Sequence, residues 1–283
     1  MIRFGVSTWV WVSPATNENL RWLVPHVASL GFDWIEFPIE EPGALDYRAI
    51  GQITRDHGLG VSICGAFSPD RDLIHPAPAL QQNGLAFLKE CIDAAYQVGA
   101  KRVGGPFYSS VGRTWQQTPG EREHDMEVLA RHLTDMARYA DDHGVTICLE
   151  ALNRFESSFI NLTSQAVELA ERVNHPAVQV MVDTFHMNIE EQNVGAAIRL
   201  AGPRLQHIHS NESHRGTPGT GLFPWQDLAL ALKEIHYDGA LVIETFTVEC
   251  KSIARAAAIW RPLASSQDDL ARDGMNFLKG LFA

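Results

Sequence analysis

Eight short apolar runs alternate with amphipathic stretches from one end of the chain to the other, and that alternation leaves few folds open. The runs are IRFGVSTWV, WIEFPI, GVSICGAF, KRVGGPF, VTICLE, VQVMVD, LQHIH and ALVIE. Most are apolar at successive positions, as a strand covered on both faces in a parallel sheet must be. The intervening periodicity predicts helices at about Glu18–Leu30, Tyr47–His57, Ala79–Val98, Arg122–His143, Ser164–Val173, Val194–Leu200 and Trp225–Ile235, with a last helical region from Ile253. In the third of these, Leu85, Leu88, Ile92 and Ala95 form one apolar stripe.

Several strands are entered through a glycine: LGFDWIEF, HGLGVSI, VGAKRVGG, HGVTICLE and YDGALVIE. Glycine after a helix adopts the left-handed cap that returns the chain to the sheet. Eight repeated units with no linker favour a closed (β/α)8 barrel, the TIM-barrel arrangement, over an open sheet, with residues 1–283 as one domain. No GxGxxG or GxxxxGK[ST] opens a helix, so dinucleotide and P-loop readings lack support. Connections entering strands are short. Those leaving are long at Gly105–Gly120, Ala151–Thr163, Thr184–Asn193 and Ser210–Pro224, and in a barrel they build the active face at the carboxyl ends of the strands.

A formal net charge of −11 argues against a nucleic-acid partner, which needs clustered Lys and Arg. The segment MIRFGVSTWVW has no signal-peptide pattern, and no apolar run nears the roughly 20 residues that span a bilayer, so no membrane partner is expected. Cys64, Cys91, Cys148 and Cys250 are far apart with no CxxC pair, and read as reduced residues of a cytoplasmic protein. Cys64 stands near a strand end without a helper residue nearby in sequence, which disfavours a catalytic thiol.

Four runs, those of the fifth to eighth strands, close on a metal-ligating residue: Glu150, Asp183, His209 and Glu244. Adjacent staves stand about 5 Å apart, so four inward ligands from consecutive strands can surround one divalent ion. Any one of them alone reads more naturally as a helix cap. Three carboxylates and an imidazole without thiolate suit Mn²⁺, Mg²⁺, Co²⁺ or Zn²⁺. Such a metal stabilises the enediolate formed when a carbon acid beside a carbonyl loses its proton. Glu150 and Glu244, at opposite ends of the set, could flank that carbon as catalytic acid and base. Trp9, Phe67, Phe107, Trp115 and Phe246 lie at or beyond strand ends, where rings pack on sugar C–H faces and exclude water; Trp115 is the lid candidate. Gly104 and Gly105 would let a ligand approach the backbone. His207 reads as core, Glu36 as a residue that could orient a ligand or bond substrate, and Glu212 and His214, which flank Arg215, as supporting or solvated residues.

The segments LEALNRFE, VDTFHMNIEE, HIHSNESHRGTPGTG and VIETF resemble the ketose 3-epimerase family, typified by D-tagatose 3-epimerase and D-psicose (D-allulose) 3-epimerase, among the xylose-isomerase-like TIM barrels. The resemblance runs from Glu150 to Phe246 and more weakly to both ends. It implies that Glu150, Asp183, His209 and Glu244 hold one divalent metal, with Mn²⁺ favoured over Co²⁺ or Mg²⁺. It implies that Glu150 and Glu244 exchange the C3 proton on opposite faces. Glu156, His186 and Arg215 would then bind the ketose, and a Glu, a His and a forked Arg donor suit a polyhydroxylated ligand on their own chemistry as well. A homodimer or homotetramer is the family expectation.

An apurinic endonuclease of the same superfamily would need further histidines where this chain has Gly65-Ala66-Phe67 and Gly104-Gly105-Pro106, and an Asp-x-His where it has Leu222-Phe223-Pro224. A related hydroxypyruvate isomerase or inosose dehydratase is the alternative. No phosphate cradle or basic cluster marks the long loops, which favours an unphosphorylated ketose.

Overall fold

The computed structural model describes residues 2–283. Among them, eight parallel strands pair in chain order and close between the last and the first. They are β1 (Arg3–Ser7), β2 (Trp34–Pro38), β3 (Gly60–Cys64), β4 (Arg102–Gly105), β5 (Thr146–Glu150), β6 (Val178–Asp183), β7 (Leu205–His209) and β8 (Ala240–Ile243). The expected barrel is thus the observed one.

An outer ring is built from α1 (Asn17–Ser29), α2 (Tyr47–Asp56), α3 (Pro78–Val98), α4 (Pro119–Asp142), α5 (Thr163–Val173), α7 (Val194–Ala201), α8 (Trp225–Glu234) and α10 (Gln267–Leu281). Local signals set their ends. Thr118 caps α4 through the Glu121 backbone N–H while the Glu121 carboxylate returns to the Thr118 N–H, and Gly99 ends α3 with φ +89°. None of these helices is long and apolar enough to cross a membrane.

Two short helices were not expected. The segment 184–193 contains α6 (Thr184–Glu190), whose first turn Asp183 caps, and the last helical region divides into α9 (Lys251–Ala256) and α10. Both α6 and α9 lie on the active face and contribute residues to its cavity.

One irregularity matters for the site. Val180 pairs with Leu205 but Met181 pairs with His207, so β7 carries an extra residue at Gln206. Side chains in a strand alternate between faces, and this bulge reverses the phase of β7 against β6. As a result His209, rather than Ile208, stands in register with Asp183.

The two glycines ending β4 serve packing. A Cβ on Gly104 would meet Met181 Sδ at 2.6 Å, and one on Gly105 would meet the Gly65 carbonyl oxygen at 2.0 Å. Only Gly105 of the pair lines the cavity.

Candidate active site

A cavity of about 540 Å³ opens at the carboxyl ends of the strands. Glu150, His209 and Glu244 reach its wall from β5, β7 and the residue after β8, while His186, Glu156 and Arg215 reach it from the following segments. Asp183 is buried just behind them.

Ligand atoms of Glu150, Asp183 and His209 lie within 4.8 Å of one another. Glu244 joins through Oε1, 3.3 Å from His209 Nδ1, and Glu150 Oε1 is 3.9 Å from the same nitrogen. Each side chain is buried, yet His209 Nδ1 has no hydrogen-bond partner. Asp183 uses Oδ1 to cap the Phe185 N–H at 2.7 Å and leaves Oδ2 toward the site. An orphaned buried imidazole nitrogen among three carboxylates is the donor set of a divalent cation, and the residues fit one.

Electrostatics within the chain agree. Burial, reinforced by the Asp183 and Glu244 carboxylates, pushes the Glu150 carboxyl well above its ordinary range despite His209 and Arg215. Burial disfavours a charged His209, but Glu244, Glu36 and Glu150 outweigh it and raise the imidazole well above its ordinary value. Excess negative charge is therefore built into the site.

Glu36 orients His209, as one of its two expected roles had it, and does not line the cavity where it would bond substrate. It lies fully buried at β2, and its two oxygens meet His209 Nε2 and His207 Nε2, each at 2.7 Å. Ser62 Oγ donates to it at 2.8 Å and in turn accepts the Trp34 indole N–H at 3.0 Å. Burial would raise the Glu36 carboxyl, but the two imidazoles hold it well below the usual range. With Nε2 committed to Glu36, His209 offers Nδ1 to the cavity. His207, read as core, is core and shares this network. Sequence separation hid the link, since Glu36 and His209 are 173 residues apart.

Cys64 also approaches Glu36 and His209. Burial and the neighbouring Glu36 and Glu244 carboxylates push its thiol well above the ordinary range, so it stays protonated and is a poor ligand or nucleophile.

Arg215 occupies the left-handed region at φ 58°, an unusual conformation for a side chain of its size. Its N–H donates to the Glu212 carbonyl at 2.9 Å, and Thr245 Oγ1 donates to its carbonyl. The guanidinium sits 4.1 Å from the Phe185 ring and 5.0 Å from that of Phe246, and Nη1 donates to Glu244 Oε2 at 3.0 Å. Asn211 Nδ2 donates to Asp183 Oδ2 at 2.8 Å. Glu212 is fully buried and receives the Gly219 and Phe223 N–H groups and the Trp225 indole N–H, which folds the β7–α8 loop around it. His214 is exposed and shapes the adjoining turn by accepting the Gly216 N–H.

His186, on α6 and three residues beyond Asp183, directs Nε2 to within 3.9 Å of Glu150 and of Asp183. Burial lowers its pKa to about 3, so the ring is neutral. Glu156 is half-buried on the β5–α5 loop.

Of the expected apolar wall, Trp9, Phe67 and Phe246 line the cavity, with Trp9 and Phe246 centroids 5.4 Å apart. Phe107 and Trp115 do not. Phe107 is fully buried against Phe67, 5.7 Å away, so it backs the wall without forming it. Trp115 lies 4.4 Å from the Arg113 guanidinium, half exposed, beside a separate shallow depression with Arg122 and Arg154. The wall is completed by residues not anticipated: Leu152, Phe155 and, on and beside α9, Ile253, Ala256 and Ala257.

The family described as xylose isomerase-like TIM barrel matches residues 24–281. The D-psicose 3-epimerase of Ruminiclostridium cellulolyticum is 32% identical over 260 residues, covering 91% of this chain and 88% of that protein. The D-psicose 3-epimerase of Agrobacterium fabrum is 34% identical, covering 87% of this chain and 86% of that protein. A solved L-ribulose 3-epimerase structure superposes with TM-score 0.93 at 30% identity, covering 100% of this chain and 96% of that one.

Proposed function

The chain belongs to the xylose isomerase-like TIM-barrel family and is an isomerase that epimerises ketoses at C3, and we propose that it does so with two carboxylates on an unphosphorylated sugar. The site takes a divalent metal. Glu150, Asp183, His209 and Glu244 would hold it, as Mn²⁺ in preference to Co²⁺ or Mg²⁺. When bound, the metal would polarise the C2 carbonyl and stabilise negative charge on the neighbouring oxygens.

Glu150 and Glu244 are the proton carriers. One removes the C3 proton and the other returns a proton on the opposite face, through a planar enediolate. The pair itself carries this reading: two buried carboxylates line the cavity, from β5 and from just beyond β8, with Glu150 Oε1 and Glu244 Oε1 3.9 and 3.3 Å from His209 Nδ1. Arg215 fixes the angle of Glu244 through its 3.0 Å hydrogen bond. Neutral His186 donates Nε2–H to a substrate oxygen, while Glu156 accepts a hydroxyl and Arg215 contributes its remaining donors. The apolar wall excludes water that would protonate the intermediate at random.

Among the described residues, Arg215 is the one Lys or Arg lining the cavity, and it is already paired with Glu244. That supports an unphosphorylated ketose of the D-allulose, D-fructose, D-tagatose or L-ribulose type. The relatives reported above are 3-epimerases, so hydroxypyruvate isomerase and inosose dehydratase activities are set aside. Unpaired cysteines support a reducing, cytoplasmic setting, and family resemblance supports a homodimer or homotetramer.

The test is kinetic. Turnover of these four ketoses should exceed that of their phosphate esters, and Glu244→Gln should abolish epimerisation while the circular dichroism spectrum is kept. Turnover retained in that variant would remove the two-carboxylate mechanism.

A further inference from the structure

His186 and Glu156 approach the substrate from different segments, yet one side chain outside the cavity wall holds both. Asn153 is 1% exposed, in the β5–α5 loop. Its backbone N–H donates to His186 Nδ1 at 3.2 Å, and its Nδ2 lies 2.8 Å from the same nitrogen. Nδ2 also donates to Glu156 Oε1 at 2.8 Å. The orientation of the amide is set from its other end, where Oδ1 accepts the Phe155 N–H at 2.9 Å.

Two N–H groups directed at His186 Nδ1 make that atom an acceptor, so the ring proton sits on Nε2. Nε2 faces Glu150 and Asp183, each 3.9 Å away, where a lone pair would be repelled and an N–H is welcome. The Glu156 carboxylate has one oxygen engaged by the same amide, leaving the other for a ligand. We propose that Asn153 is a positioning residue: its amide locks His186 as an Nε2–H donor and Glu156 as an acceptor, so the two are presented to the substrate as a matched pair. The proposal rests on the reading of His186 and Glu156 as ketose-binding residues.

Asn153→Asp separates this role from a structural one. The Oδ1 contact to the Phe155 N–H survives, as do the Glu156 and Ser157 N–H bonds to the Asn153 carbonyl, so the turn is kept. The donor amide becomes an acceptor, which repels Glu156; the Asn153 backbone N–H still points at His186 Nδ1 at 3.2 Å, but the carboxylate oxygen set 2.8 Å from that nitrogen outweighs it and draws the ring proton onto Nδ1. In the Mg²⁺-loaded protein, two-bond ¹H–¹⁵N correlation spectra should place the His186 proton on Nε2 for the parent and on Nδ1 for Asn153→Asp. The variant's kcat/KM for the best ketose should fall about 10- to 100-fold, the loss of one or two charge-assisted hydrogen bonds. Calorimetric Mg²⁺ affinity should be unchanged, because Asn153 touches no metal ligand.

A parent ring protonated on Nδ1, or an Asn153→Asp ring still protonated on Nε2, would overturn the proposal. So would a parent-like kcat/KM beside a shifted proton. A parent inert toward all ketoses would instead overturn the proposed substrate, while the spectra would still decide whether Asn153 sets the tautomer.

Discussion

At the scale of single residues, Glu36 shows how a buried charge becomes useful. A lone carboxylate inside a barrel would be costly, but two imidazoles and a serine hydroxyl surround this one. It fixes His209, with Nδ1 left without a hydrogen-bond partner. Glu36→Gln places an amide NH₂ against one imidazole and should weaken divalent-metal affinity about 10- to 100-fold. Isothermal titration with Mn²⁺ reads this directly; parent-like affinity would show that Glu36 does not orient His209. Glu150, Asp183, His209 and Glu244 were legible because each ends an apolar run, a position that in a barrel has one direction to point. Glu36 also ends such a run, but nothing local reveals that its partners lie on β7. Asn153 was hidden because its partner His186 lies 33 residues on, and Phe107 and Trp115 were misplaced because sequence gives a ring's position on a loop and not the side it packs on.

At the scale of elements, the β7–α8 loop is the piece whose order the site most depends on. Arg215 holds a left-handed backbone with its N–H bonded to the Glu212 carbonyl and its carbonyl bonded by Thr245 Oγ1. Burial alone would raise the Glu212 carboxyl. The Ser213 N–H, the Trp225 indole and the Phe223 and Gly219 N–H groups outweigh it and hold it below the ordinary range. A depressed folded pKa gives stability that is fully present above the unfolded value of about 4.3 and is lost as pH falls through the folded one. Glu212→Gln should therefore cost about 1.5–3 kcal/mol at neutral pH and flatten the acid limb of the melting temperature against pH. Scanning calorimetry of both proteins checks this, and parallel acid limbs would contradict it. The loop's length and polarity were readable from sequence. Its internal hub was not, because Glu212 receives N–H groups from as far as 13 residues on. The Gln206 bulge was equally hidden, since it appears only when β6 and β7 are laid side by side.

For the whole molecule, closure of the barrel was the most readable property. Eight apolar runs, glycine-capped helix ends and long exit loops all point to one architecture, and consistency across such levels specifies a fold. What the pattern did not carry were α6 and α9, helices of 7 and 6 residues, too short to show helical periodicity. They matter because they bring His186, Ile253 and Ala256 to the cavity, and with them the substrate's surroundings. In the proposed reaction one carboxylate at this mouth removes the C3 proton and a second delivers a proton to the opposite face. Incubating the Mn²⁺-loaded protein with D-allulose in D₂O and following the sugar by NMR tests it most directly. Deuterium should appear at C3 of both epimers as they interconvert; exchange at C1 alone, or interconversion with C3 still protiated, would rule out the two-carboxylate exchange.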